Sequence, residues 1–358
     1  MRELPSVRHR VGTALIGIAV IAGAVAYVHH IDWRTTLLVI GGAAPAMLTL
    51  AYGFHLLSLL AKSGVWWVCL RAVGTPTFAT VARLTFLSAA LNSLLVANSG
   101  EAGRVVLISR LSGLRGASAF ATVALERLIN VGGFVVVLLI VASLLPLPAP
   151  VQRAILGGMG LMAVVALCVV ARRGRGRSLT RRSRSALPRF ARVMRVQLAR
   201  VLLAVQRIAT ARRMACASVL TLTDWTCQLA SYHLVARAAH LPISLAGSVL
   251  ALLAVNLGLV VRVTPGNVGI FELAYAAAAA SQGAPAAAAV GVGMLIHLVQ
   301  DVPTIVLGLV SGRTLRRRVN AMRATVMLTA PGMLPTSGMR SANSHLGEDL
   351  PAPGGTIS

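Results

Sequence analysis

The amino-acid sequence predicts an all-α protein: a polytopic membrane helix bundle of two inverted repeats, each containing a broken re-entrant helical hairpin. Composition, the placement of the basic residues and two paired helix interruptions predict it. Hydrophobic residues make up 56% of the 358 and charged residues 12%, at a mean hydropathy of +0.79, where a soluble chain carries about 25% charged residues. The few charges sit in short blocks between apolar runs long enough to cross a bilayer.

The net charge of +25 would suit a nucleic-acid binder, but its placement argues against that class. Of the 34 basic residues only Lys62 is a lysine, and 14 of the arginines lie between 171 and 213 with no acid among them. That block follows one apolar run and precedes another, so it reads as a cytoplasmic loop that obeys the positive-inside bias and touches anionic lipid. Cys69, Cys168, Cys216 and Cys227 fall in or beside apolar segments, without a C-x-x-C pair or histidines at ligand spacing. Neither a disulfide frame nor a zinc site is expected, and no cofactor.

The first apolar run, 11–28, follows Arg2, Arg8 and Arg10, which places the N-terminus in the cytoplasm. Ala24-Val25-Ala26 resembles a signal-peptidase site; whether cleaved there or kept as a span, the chain leaves residues 29–34 outside. The second run, 36–60, returns to the cytoplasm at Lys62, with Trp66 and Trp67 at headgroup depth. Next come 80–97, a polar break at Asn98-Ser99-Gly100, and a shorter helix over 101–111. A single crossing here would invert every later segment and export the Arg-rich loop. A hairpin that enters from the cytoplasm, turns inside the membrane and comes back keeps the charge rule, provided its irregular backbone is buried in protein or lines a wet cavity.

The run 117–145 then goes outward, 146–150 turns outside, and 151–170 returns to the Arg block. Residues 214–236 go out again, 247–263 break at Thr264-Pro265-Gly266-Asn267, 268–281 form a second half-hairpin, and 286–310 exit beside Arg313 and Arg316 to Arg318. Under this arrangement 29 basic residues are cytoplasmic, 3 lie outside and 2, Arg127 and Arg262, lie within the membrane. Residues 1–312 thus form the membrane domain, with its cytoplasmic loop at 171–213, and 313–358 a basic, then disordered, cytoplasmic tail. Paired interruptions in inverted halves are a transporter construction and point to a binding site near the midplane.

Five of the nine acids, Glu101, Glu126, Asp224, Glu272 and Asp301, lie in apolar segments or at their breaks. A charge at a helix centre costs about 2.5–3.5 kcal/mol, which makes such residues functional candidates. Asn98 is placed to cap the helix that follows, with Glu101 completing a capping-box-like pair and Arg104 one turn on from it. The same helix N-terminus, with free N–H groups and partial positive charge, suits a lipid phosphate or carboxylate. Thr264 to Glu272 reads alike: Pro265 and Gly266 break the helix, Asn267 caps the next, Gly269 permits close approach, and Glu272 serves as cap or as headgroup contact.

Glu126 and Arg127 are neighbours whose side chains diverge by about 100°, so each needs a partner elsewhere, with Glu101 or Glu272 the expected partner of Arg127. His297 and Asp301 share a face at i, i+4 and form either an interhelical polar contact or part of the site. His55, His233, Asp224 and Arg262 read as interhelical contacts. There is no P-loop, G-x-S-x-G or H-E-x-x-H, so no catalytic residues are assigned and the sequence leans away from an enzyme.

At these residues the chain resembles the lysylphosphatidylglycerol synthase transmembrane-region family, the flippase-like membrane domain found also in the multiple peptide resistance factor. The matching residues are Asn92 with Leu94-Leu95, Gly100-Glu101, Arg104, Glu126-Arg127-Leu128, Thr264-Pro265-Gly266, Gly269, Glu272 and Gly283, over about residues 51–312. The chain departs from the family pattern at Val96 (proline), Asn98 (arginine), Asn267 (glycine) and His297 (arginine), so two cationic positions become neutral or titratable. The resemblance implies lipid handling; only a short tail follows the membrane region, so it does not imply aminoacyl-lipid synthesis.

The expected protein is therefore a multi-pass protein of the bacterial inner membrane with both termini cytoplasmic. It binds and translocates a lipid headgroup, phospholipid or lipid-linked glycan, and the alternative is a membrane subunit or enzyme of aminoacyl- or glycosyl-lipid synthesis. Its partners are membrane lipids with anionic or lipid-linked headgroups and a partner enzyme of that synthesis, not nucleic acid. Asn98, Glu101, Arg104, Glu126, Arg127, Thr264, Pro265, Gly266, Gly269, Glu272, His297 and Asp301 are the expected lipid-binding residues.

Overall fold

The computed structural model describes residues 32–95, 99–144, 153, 157, 160, 210–259 and 264–329. The expected span at 11–28, the turn at 146–150, Arg262 and most of the run 151–170 and of the Arg-rich loop lie outside them. The described residues are helical, without strands: α1 (Trp33–Gly41), α2 (Pro45–Leu70), α3 (Phe78–Leu94), α4 (Ser99–Ser112), α5 (Gly116–Leu144), α6 (Ala211–Ala238), α7 (Leu245–Gly258), a 3-10 turn (Pro265–Asn267), α8 (Ile270–Ala280) and α9 (Ala286–Thr329). Residues 1–314 make one compact unit; residues 315–358 make another, whose described part is helical to Thr329. Helix thus continues to Thr329 within the segment expected as a basic, then disordered, tail.

Three described helices are long and apolar enough to cross a membrane: Pro45–Leu70, Gly116–Ile140 and Ala286–Arg317. The face that α9 turns outward shows the solvent it was built for, since Leu298, Val302, Val306 and Leu309 are exposed while His297 and Thr304 are buried. Apolar outside and polar inside is the pattern of a helix surrounded by lipid. The 28-residue α6 is also long enough, but its polar residues lower its hydropathy. They point inward: Asp224 accepts from Ser58 of α2 at 2.5 Å and Asn130 of α5 at 3.3 Å, and His233 bonds Ser248 of α7 at 2.9 Å.

The run expected as one span over 36–60 is two helices. Gly41-Gly42 ends α1, and Pro45, whose fixed φ suits a first turn, starts α2. With its start moved to 45, α2 continues through Lys62 to Leu70. Trp66 is thus no interfacial anchor; it is fully buried and its Nε1 donates to Thr122 Oγ1 at 3.1 Å. Half-buried Trp67 donates to the Pro76 carbonyl at 3.1 Å.

Helices α2 and α6 run antiparallel along their length: Ala44 N–H donates to the Ala238 carbonyl at 2.8 Å, Ser58 meets Asp224, and Gly64 lies against Leu220. Each interrupted segment folds back on itself. Gly74 is against Leu114 while Gly100 is against Ser88, so α4 returns beside α3. Likewise Gly247 is near Gln282 and Gly258 near Ile270, so α8 returns beside α7. Gly100 abuts the Ser88 carbonyl and Gly308 of α9 abuts Ala90 and Phe86 with no room for a Cβ, the close backbone approach that small residues allow between membrane helices.

Candidate functional site

The two interruptions meet. Gly266, at φ +64°, would place a Cβ 2.9 Å from the Ser93 carbonyl at the end of α3, and the 3-10 turn packs on that helix. Only a residue without a side chain combines the left-handed φ with this approach. Beside this contact lies a cavity of about 210 Å³, lined by residues of both broken segments, among them Asn92, Ser93, Gly266 and Asn267, and by residues of α2, α5, α6 and α9.

Three charged clusters surround it. Glu101, in the first turn of α4, receives Arg127 of α5 in a two-point pair: Nε donates to Oε2 at 3.2 Å and Nη2 pairs with Oε1. The expected partnership of Arg127 with Glu101 is what the helices bring together. Arg104 lies 4.0 Å from Glu101 but turns to Glu126, Nη2 to Oε2 at 2.5 Å, and its guanidinium sits 4.6 Å over the Trp66 ring. Arg104 is 3% exposed and Glu126 1%, so this pair is desolvated and does not line the cavity. Arg127 does.

The second cluster centres on His297. Its Nδ1 is 2.7 Å from Glu272 Oε1 of α8 and its Nε2 3.0 Å from Asp301 Oδ2, and the ring stacks on Phe271 with centroids 4.6 Å apart. Ionised carboxylates only accept, so a ring that satisfies both donates from both nitrogens and is cationic. Asp301 also accepts from Ser93 Oγ at 2.9 Å, fastening α9 to the end of α3.

The third cluster was not foreseen. Lys62 lines the cavity, next to Ser58, whose hydroxyl holds Asp224. Read as a membrane-boundary residue, it is instead half-buried within α2, which runs on to Leu70. Gln228, Gln300 and Thr304 also line the cavity without having been singled out; so does His55, whose Nε2 contacts Thr304 Oγ1 of α9 at 3.0 Å, the interhelical contact expected of it.

The helix starts differ from expectation in what they leave open. Gly100 N–H donates to Asn92 Oδ1 at 3.0 Å, from α3, and Gly269 N–H donates to Glu272 Oε2 at 2.7 Å. Gly269, at φ +90°, is the N-cap of α8, because Asn267 lies inside the 3-10 turn at φ 57°. Both N–H groups are thus already satisfied by side chains. Thr264 Oγ1 donates to the Val268 carbonyl at 3.0 Å and closes the loop before α8, in which Pro265 opens the 3-10 turn. Asn98 lies outside the described residues.

Among the described residues no group of histidines, cysteines and acids could hold a metal ion. No curated protein matches the chain. The family model for the lysylphosphatidylglycerol synthase TM region matches residues 14–308, which together with the apolar helices makes this a multi-pass integral membrane protein; the chain belongs to the lysylphosphatidylglycerol synthase TM region family.

Proposed function

We propose that the protein binds a lipid headgroup in the cavity between its broken helix pairs and moves it across the membrane, and that the two pairs are re-entrant hairpins of an inverted repeat. The observation that carries the reading is a polar cavity, lined by Arg127, His297 and Asp301, enclosed by helices whose outward faces are apolar. A headgroup crossing hydrocarbon loses its hydration; such a cavity replaces the lost water while the acyl chains remain in lipid.

Length supports re-entrance. At 1.5 Å per residue, the 14 residues of α4 and 14 of α7 rise about 21 Å each, short of the ~30 Å hydrocarbon core. The antiparallel packing of α2 on α6, the leading helices of the two halves, supports the inversion. With both termini and the Arg-rich loop cytoplasmic in a bacterial inner membrane, single cysteines at 178–185 will be shielded from an impermeant thiol reagent in intact cells, in a background cleared of native cysteine, and one at Pro148 will react. Labelling of the loop from outside would remove the inverted arrangement.

Translocation is tested with purified protein in liposomes. Headgroup-labelled anionic phospholipid or a lipid-linked sugar will exchange between leaflets faster than in protein-free vesicles. Arg127→Ala will slow the exchange more than Arg237→Ala, since Arg237 is exposed at the end of α6. No acceleration by folded protein across this panel would favour a role as membrane partner of a lipid-synthesising enzyme.

A further inference from the structure

The hydrogen-bonding capacity that faces the cavity is unevenly spent. The acid that lines it has its acceptors engaged. Asp301 takes Ser93 on one oxygen and His297 on the other. Glu101 accepts from Arg127 Nε on Oε2 and forms an ion pair with its guanidinium, and Glu272 takes Gly269 N–H and His297. Asp224, fully buried behind Ser58, takes Ser58 and Gln228 on one oxygen and Asn130 on the other.

The donors are different. Lys62 carries three N–H groups on its ammonium, and among the described residues it makes no ion pair. Arg127, a second cation, lines the same cavity. Asn92 spends its Oδ1 on Gly100 N–H, which fixes its Nδ2 as the remaining donor, and it lines the same cavity. An ammonium in a low-dielectric wall beside a guanidinium is costly unless a ligand supplies negative acceptor oxygens.

From this inventory we infer that Lys62, with Arg127 beside it and the Asn92 amide, binds the phosphate of a lipid headgroup. The inference rests on the headgroup reading and narrows it: the ligand carries a phosphate mono- or diester, and Lys62 is the residue that selects for it. A phosphate offers anionic oxygens to all three donors at once.

Binding is measured on the purified full-length chain by thermal unfolding against a titration of dihexanoyl phosphatidylglycerol, of a phosphate-free dihexanoyl glucosyl diglyceride, and of inorganic phosphate. The phosphate lipid is expected to stabilise the protein saturably, and the phosphate-free lipid to bind about tenfold or more weakly, the worth of a charge-assisted hydrogen bond. Lys62→Gln should bring the two lipids level by weakening the first, while Lys62→Arg keeps the preference.

Equal affinity of wild-type protein for both lipids, or undiminished preference in Lys62→Gln, overturns the inference. Stabilisation by inorganic phosphate at the concentrations at which the lipid acts assigns the site to a soluble anion and overturns the headgroup source. Should Lys62→Gln fail to fold, the wild-type comparison of the two lipids decides alone. Because the measurement needs no transport, a protein that prefers the phosphate lipid yet moves none in liposomes keeps this site and loses the translocation reading.

Discussion

Glu126→Ala will destabilise the protein by about 3–5 kcal/mol, the usual cost of removing one partner from a buried ion pair. The magnitude follows from what the substitution leaves behind. Arg104 is 3% exposed and has its Nη2 on Glu126 at 2.5 Å, so its charge would remain without a close counter-ion, the nearest carboxylate being Glu101 at 4.0 Å. That carboxylate is already engaged by Arg127. Arg104 Nε and Glu126 Oε1 have no hydrogen-bond partner among the described residues, so the pair's desolvation is only partly offset.

The double substitution Arg104→Met with Glu126→Leu will therefore recover most of the loss, since two apolar side chains of similar size carry no such penalty. Reversible unfolding in mixed micelles measures both variants. A Glu126→Ala protein within about 1 kcal/mol of wild type, the range of an exposed pair, would mean that water reaches this part of α5.

Much of the architecture was legible because its signals are local. Pro265 and Gly266 cannot continue a helix in this setting, and the polar stretch at 98–100 interrupts an apolar run, so both breaks could be read from neighbours in sequence. The need of Arg127 for a partner other than Glu126 followed from the 100° between adjacent helical residues, and the pairing of His297 with Asp301 from i, i+4 spacing. What spacing does not carry is distance between helices. It could not tell that Arg104 would turn from Glu101, one turn away, to Glu126 on α5, or that Glu272 would reach His297 on α9.

Lys62 shows the other way in which the signal fails. After a long apolar run a lone basic residue reads as the membrane boundary, and counting residues from 36 put the boundary there. The count begins at Pro45, where α2 starts afresh. The same shift moves Trp66 from headgroup depth to the packed interior, under the Arg104 guanidinium. The cap of α8 was misplaced for a related reason: Asn267 has the right chemistry, but the 3-10 turn consumes it and Gly269, at φ +90°, takes the position.

Glu272→Gln will slow lipid translocation by about tenfold or more while the protein inserts and folds as wild type. Glu272 has two roles that this substitution separates. As a cap it accepts Gly269 N–H on Oε2 at 2.7 Å, and the glutamine amide oxygen can accept the same bond, so the start of α8 survives. As a charge it faces His297 Nδ1 at 2.7 Å, and there the amide supplies no negative charge. A hydrogen bond to an ionised group contributes about 1.5–3 kcal/mol, which corresponds to roughly tenfold or more in a rate that depends on it.

His297 and its other partner, Asp301, line the cavity, so the change reaches the proposed site without touching its outer packing. Asp32→Asn serves as the control. Asp32 caps α1 through Thr35, is exposed and lies outside the cavity, so its substitution will leave the rate unchanged. The measurement is leaflet exchange of a headgroup-labelled phospholipid in liposomes, with the unfolding midpoint taken on the same preparations. Wild-type exchange in Glu272→Gln at an unchanged midpoint would reduce Glu272 to a helix cap, and a midpoint that falls along with the rate would make the cap, and not the charge, the cause of the loss.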